Sequence, residues 1–136
     1  MTFVREAMNP VGVTVGTGHT MREAARRMTD GRTGAAVVID PELPAPGIVT
    51  ERDILHCVAE GSDLDSELVG AHLTAEVVYA GVDWPLVRAA EQMTAGGFRH
   101  VLVTDGSELV GILSMRDIVR SWVHTGAVTS DLAARS

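Results

Sequence analysis

Two seven-residue stretches carry the residue types best suited to holding a small ligand. They are Gly47-Ile48-Val49-Thr50-Glu51-Arg52-Asp53 and Gly111-Ile112-Leu113-Ser114-Met115-Arg116-Asp117. Each runs from a glycine through two apolar residues to a hydroxyl, with Arg-Asp closing the stretch. A hydroxyl three positions before an acid is the spacing of a capping box, which stabilises a helix by about 1 kcal/mol. A strand-to-helix turn of this kind also presents backbone N–H groups, where a phosphate or ribose can sit. Each stretch alone reads as a helix cap. Two copies at matching places, each with Arg beside Asp, favour a ligand turn.

Other groupings offer less chemistry. Gly16-Thr17-Gly18-His19-Thr20-Met21, with Asp40 further on, imitates a dinucleotide fingerprint. Its third glycine falls at Met21, where a side chain opposes close helix–strand packing, so the two glycines read as turn residues. His19, His56, His72, His100 and His124 show no zinc-ligand spacing. Cys57 lies beside His56, but adjacent helical residues do not face each other. Among Ile54, Leu55 and Val58 it reads as a buried, inert thiol. Asp63, Asp65 and Glu67 lack the glycine and final acid of a calcium loop and read as part of a solvated link. No Gly-x-Ser-x-Gly elbow or P-loop occurs. No catalytic residues and no metal site are expected.

The elements that position the two signatures form an internal repeat. Ala24-Ala25, Met28-Thr29 and Asp40 recur 65 positions later as Ala89-Ala90, Met93-Thr94 and Asp105. Gly47-Ile48 and Arg52-Asp53-Ile54 recur 64 positions later, so the missing residue falls in a turn, where deletions are tolerated. Each copy opens on a β-branched strand, expected at residues 11–15 and 76–80. A helix follows, with Met21, Ala24, Ala25, Met28 and Leu86, Ala89, Ala90, Met93 at the i, i+3, i+4, i+7 spacing of one apolar face. Thr20 and Glu23 have the spacing of a capping box, and Pro85 suits an early helical position. Two short strands and a closing helix complete the unit. The expected fold is α/β: two strand–helix–strand–strand–helix repeats packed about a pseudo-twofold axis. The expected boundaries are 6–62 and 70–125, with a polar link between them and a tail at 126–136.

Composition bounds the partners. The chain has 136 residues, 46% hydrophobic and 21% charged, enough to bury a core without disulfides or metal. Aromatics are only 4%, so Val, Ile, Leu, Ala and Met must build that core. A net charge of −7 argues against nucleic acid and anionic membranes as partners. A single cysteine, no apolar leader and no long apolar run point to a cytoplasmic protein.

The Ala-Ala-x-x-Met helices, the Val-Val-x-Asp strand and the paired Gly-apolar-x-Thr/Ser-x-x-Asp signatures resemble a CBS-domain pair, or Bateman module, over residues 6–124. The family often carries proline where this chain has Val37 and Leu102. The resemblance implies a regulatory module that binds an adenosine-containing ligand in an inter-repeat cleft, whether AMP, ADP, ATP or S-adenosylmethionine. No cofactor is required. By position, it assigns Thr50, Arg52 and Asp53 to one cleft with Val77, Val78 and Tyr79. Arg99 and His100 would meet phosphate there. It assigns Ser114, Arg116 and Asp117 to a second cleft with Val13, Thr14 and Val15, where Gly34 and Ala35 stand in place of Arg99 and His100. A homodimer is implied, with Trp122 among the candidate anchors, and signalling would run through dimerisation or a protein partner in trans. The alternative is a nucleotide-free structural or interaction dimer, of the stress-related kind.

Overall fold

A computed structural model describes residues 1–125; the expected tail at 126–136 lies outside the described residues. The order of elements is α1 (Val4–Ala7), β1 (Thr14–Val15), α2 (Met21–Asp30), β2 (Ala35–Val38), β3 (Gly47–Thr50) and α3 (Glu51–Ala59). A 3₁₀ turn (Val69–Ala71) follows, and then β4 (Tyr79–Gly81), α4 (Leu86–Gly96), β5 (His100–Asp105), β6 (Glu108–Ser114) and α5 (Met115–His124). The strand–helix–strand–strand–helix unit thus occurs twice, as its spacing predicts.

The chain divides into two compact units. The first is Val11–Val77. Its sheet runs β1-β2-β3, with β1 parallel to β2 and β2 antiparallel to β3. Met21, Ala24 and Met28 of α2 pack on Val15, Ala36, Val38 and Val49, with Cys57 and Val69. The second unit joins Met1–Pro10 to residues 78–125. Its sheet runs β4-β5-β6 with the same directions. Leu86, Ala89 and Met93 of α4 pack on Ala80, Val101, Val103, Leu113 and Ile118. Residues 1–10 thus pack with the unit that contains β4-β5-β6. Val4 is fully buried there, and its N–H donates to the Trp84 carbonyl at 2.9 Å.

Three local expectations change. The first strands of the repeats differ from the expected 11–15 and 76–80: they span Thr14–Val15 and Tyr79–Gly81. Thr14 sits opposite Val37, so Val11 would fall opposite Gly34, before β2 begins; Glu76 would likewise fall opposite Arg99, before β5. At α2, the Thr20 hydroxyl accepts the Glu23 N–H at 3.1 Å, but the Glu23 carboxylate turns to Arg27, so only half the box forms. The polar link is not merely solvated. The carbonyls of Glu67 and Leu64 accept the N–H groups of Met21 and Arg22, two donors that a helix start leaves open. Asp65 pairs with Arg22, and Val69 is fully buried.

Candidate functional site

Both signature turns are built alike. In the first unit, Thr50 N–H and Oγ1 donate to Asp53 Oδ2 at 2.8 and 3.1 Å, and Asp53 N–H donates back to Thr50 Oγ1 at 3.4 Å. In the second, Ser114 N–H and Oγ donate to Asp117 Oδ2 at 2.8 Å each, and Asp117 N–H returns to Ser114 Oγ at 3.1 Å. The capping box of the sequence is therefore real in both repeats. It engages only Oδ2 of each aspartate, so the cap does not by itself occupy Oδ1.

The first helical donor is also spent. Glu51 N–H donates to the Gly34 carbonyl at 2.8 Å, and Met115 N–H to the Arg99 carbonyl at 2.9 Å. The turns thus offer fewer backbone donors to an anion than the sequence suggests. Arg52 and Arg116, next to the aspartates in the chain, are both exposed. The two aspartates differ. Asp117 is buried, and its Oδ1 accepts from Arg120 at 3.4 Å. Asp53 is half-buried, and His56 holds the place of Arg120.

The same backbone bonds identify equivalent corners. Register puts Ala35 opposite Thr50 and His100 opposite Ser114. The Arg99–His100 pair thus adjoins Ser114 and Met115 in the second unit, with Arg99 exposed and His100 half-buried. Gly34 and Ala35 occupy that corner in the first unit.

The residues assigned by resemblance fall into both units. Thr50, Arg52, Asp53, Val13 and Val15 lie in the first. Ser114, Arg116, Asp117, Arg99, His100, Val78 and Tyr79 lie in the second. Val13 and Val15 carbonyls accept from Val37 and Ile39, and the Val78 carbonyl accepts from Leu102, so these groups serve the sheets. On the outer edge of β1, the Thr14 carbonyl accepts from Arg27 at 2.8 Å. Tyr79 holds the matching place in β4.

The glycine-rich turn spends its first two backbone donors within the chain. Gly16 N–H donates to His19 Nδ1 at 2.7 Å. Thr17 N–H and Oγ1 donate to Asp40 Oδ2 at 3.0 and 2.6 Å. The Thr17 hydroxyl, the Glu42 N–H and the Thr17 N–H hold the Asp40 carboxyl below its ordinary range.

Cys57 is fully buried, as its neighbours predict, but its histidine neighbour is His72 and not the adjacent His56. Sγ lies 3.5 Å from His72 Nδ1, and His72 Nε2 lies 2.8 Å from Glu67 Oε2. Burial pushes the thiol pKa up, helped by Glu67, Glu60 and Asp53. Fifteen residues separate Cys57 from His72, and no sequence spacing signals the contact. Among the described residues, no group of three His, Cys, Asp or Glu side chains could hold a metal, and no helix is long and apolar enough to cross a membrane.

Known proteins resemble this chain. An uncharacterized 17.7 kDa protein of Acidianus ambivalens is 38% identical over 109 residues, covering 78% of this chain and 65% of that protein. The mitochondrial CBS domain-containing protein CBSX3 of Arabidopsis thaliana is 33% identical over 113 residues, covering 79% of this chain and 55% of that protein. The chain thus spans less than two thirds of either relative. A CBS domain protein of Pyrobaculum aerophilum, solved in complex with AMP, superposes with a TM-score of 0.75 at 34% identity, covering 85% of this chain and 89% of that one. The CBS domain family matches residues 4–60 and 69–124. Each match ends with the helix that a Thr/Ser-x-x-Asp turn begins, and the chain belongs to the CBS domain family as a tandem pair.

Proposed function

We propose that the chain is a regulatory module that binds an adenosine-containing nucleotide and catalyses no reaction. The observation that carries this reading is the duplicated aspartate turn. In both repeats the cap engages Oδ2, beside an exposed arginine. A carboxylate oxygen so placed suits the paired hydroxyls of a ribose. Asp53 and Asp117 are the ribose anchors, with Thr50 and Ser114 beside them. Arg52, Arg116, Arg99 and His100 meet phosphate, since guanidinium groups match phosphate geometry. Val13, Val15, Val78 and Tyr79 form the adenine side. The AMP held by the Pyrobaculum aerophilum relative supports AMP as the first ligand to test, then ADP, ATP and S-adenosylmethionine. Calorimetry on the intact chain should give saturable binding that Asp53→Ala or Asp117→Ala weakens at least tenfold, with the fold retained by circular dichroism. Unchanged binding in both variants would remove the aspartates from the site.

A specific surface supports self-association as the route of signalling. Leu55 and Val58 on α3 are 64% and 56% exposed, and Val119 and Val123 on α5 are 46% and 48% exposed. Leu55 and Val119 hold equivalent places, as do Val58 and the half-buried Trp122. Apolar stripes repeated on both closing helices fit a homodimer, whether or not nucleotide is bound, or a protein partner in trans. Sedimentation of wild type and of Leu55→Glu/Val119→Glu tests this: a dimer that becomes a folded monomer is expected. A wild-type monomer would leave the partner in trans.

A further inference from the structure

The two equivalent corners carry opposite charge. In the second unit, Arg99 and His100 lie at the start of β5, with Met115 opening the helix. In the first, Gly34 holds the place of Arg99, and Glu51 holds that of Met115. The Glu51 carboxylate folds onto the glycine. A Cβ built at Gly34 would lie 2.9 Å from Glu51 Cδ and Oε1, and 3.2 Å from Oε2. The absence of a side chain at Gly34 is therefore what lets the carboxylate cover this corner. One corner carries Arg99 and His100; the other carries the Glu51 carboxylate over bare backbone, with Arg52 next to it in the chain.

We propose that Glu51 is a specificity-determining residue that, offsetting Arg52 beside it, makes the Gly34 corner disfavour phosphate and prefer an adenosine ligand whose 5′ substituent is neutral or cationic. Phosphate is directed to the Arg99–His100 corner. The inference rests on the adenosine reading above and adds to it the charge of the ligand. S-adenosylmethionine, with its sulfonium, belongs to the preferred class, and AMP to the disfavoured one. One charge–charge contact at a solvated surface changes affinity by about fivefold.

The test is calorimetry of AMP and of S-adenosylmethionine against wild type, Glu51→Gln and Gly34→Ala. Glu51→Gln removes the charge. Gly34→Ala keeps it but displaces the carboxylate, because the contact is the far end of a flexible side chain. The expected result is that Glu51→Gln strengthens AMP about fivefold at the Gly34 corner, read as the weaker of its two binding steps, and weakens S-adenosylmethionine about fivefold. Gly34→Ala should move both in the same directions by less. S-adenosylhomocysteine, which lacks the sulfonium charge, should respond to neither substitution. If both ligands bind and depend on Asp53 or Asp117, but their ratio is unchanged in Glu51→Gln, the role of Glu51 is overturned and the adenosine site stands. If neither ligand binds wild type or variants, the adenosine reading falls and the inference falls with it.

Discussion

Asn9 and Ile112 exchange both backbone hydrogen bonds, N–H to carbonyl in each direction at 2.9 Å. The pair brings the segment before β1 against β6. A Cβ on the preceding residue, Gly111, would lie 2.6 Å from the Asn9 carbonyl oxygen. The first unit repeats the device. Ile48 and Thr74 exchange bonds at 3.0 and 2.8 Å, and a Cβ on Gly47 would lie 2.8 Å from the Thr74 carbonyl oxygen. Asn9 and Thr74 are 65 positions apart, the offset of the repeat itself.

The glycine that opens each signature is therefore demanded by backbone packed against it. Backbone cannot swing aside, so Gly47→Ala and Gly111→Ala should each destabilise by about 1–3 kcal/mol, as overpacking does. Thermal unfolding should fall by about 5 °C or more. Gly34→Ala, which meets only the tip of Glu51, should stay within about 0.5 kcal/mol of wild type. A similar loss at all three positions would contradict this account.

This exchange was not legible in the sequence. A backbone-to-backbone pair leaves no side-chain pattern, and its one trace is the glycine at positions 47 and 111. The repeat itself was legible, because α2 and α4 each bury the same Ala and Met positions against a sheet. The caps at Thr50 and Ser114 were legible, because both partners lie within four residues of chain. The Cys57–His72 contact and the docking of Leu64 and Glu67 on α2 depend on how loops fold back, which spacing does not encode.

The caps contribute stability apart from any ligand. Thr50→Ala and Ser114→Ala should each cost about 1 kcal/mol in urea unfolding. Asp117→Ala should cost more than Asp53→Ala, because Asp117 is buried and also engages Arg120. The reverse order would mean that Arg120 adds nothing.

Asp40 makes the fold acid-sensitive. Its folded pKa lies below the ordinary 3.8, held down first by the Thr17 hydroxyl. A lowered pKa means that the unfolded chain binds the proton more readily. The contribution is thus present above about pH 3.8 and is lost as pH falls through the folded value. Asp40→Asn should be less stable than wild type at pH 6, with the gap closing below pH 3.8. A gap that persists unchanged to pH 2 would contradict it.

Cys57 has the opposite sign. Burial raises its pKa above 9.0, so its proton favours the folded chain. Stability should fall as pH rises above 9.0, and Cys57→Ala should flatten that slope. Native thiol should react with a disulfide reagent far more slowly than thiol in urea. Equal rates would show that the site opens freely.

The most direct test of the central claim is a titration of the intact chain with AMP, read by thermal shift and then by calorimetry. At 100 times its dissociation constant, a ligand stabilises by about 2.7 kcal/mol, a rise of several degrees for a chain of this size. Such a saturable rise is expected of the wild type and should be absent in the Asp53→Ala/Asp117→Ala double variant. No shift with AMP, ADP, ATP or S-adenosylmethionine at millimolar concentration would contradict it and leave the nucleotide-free dimer.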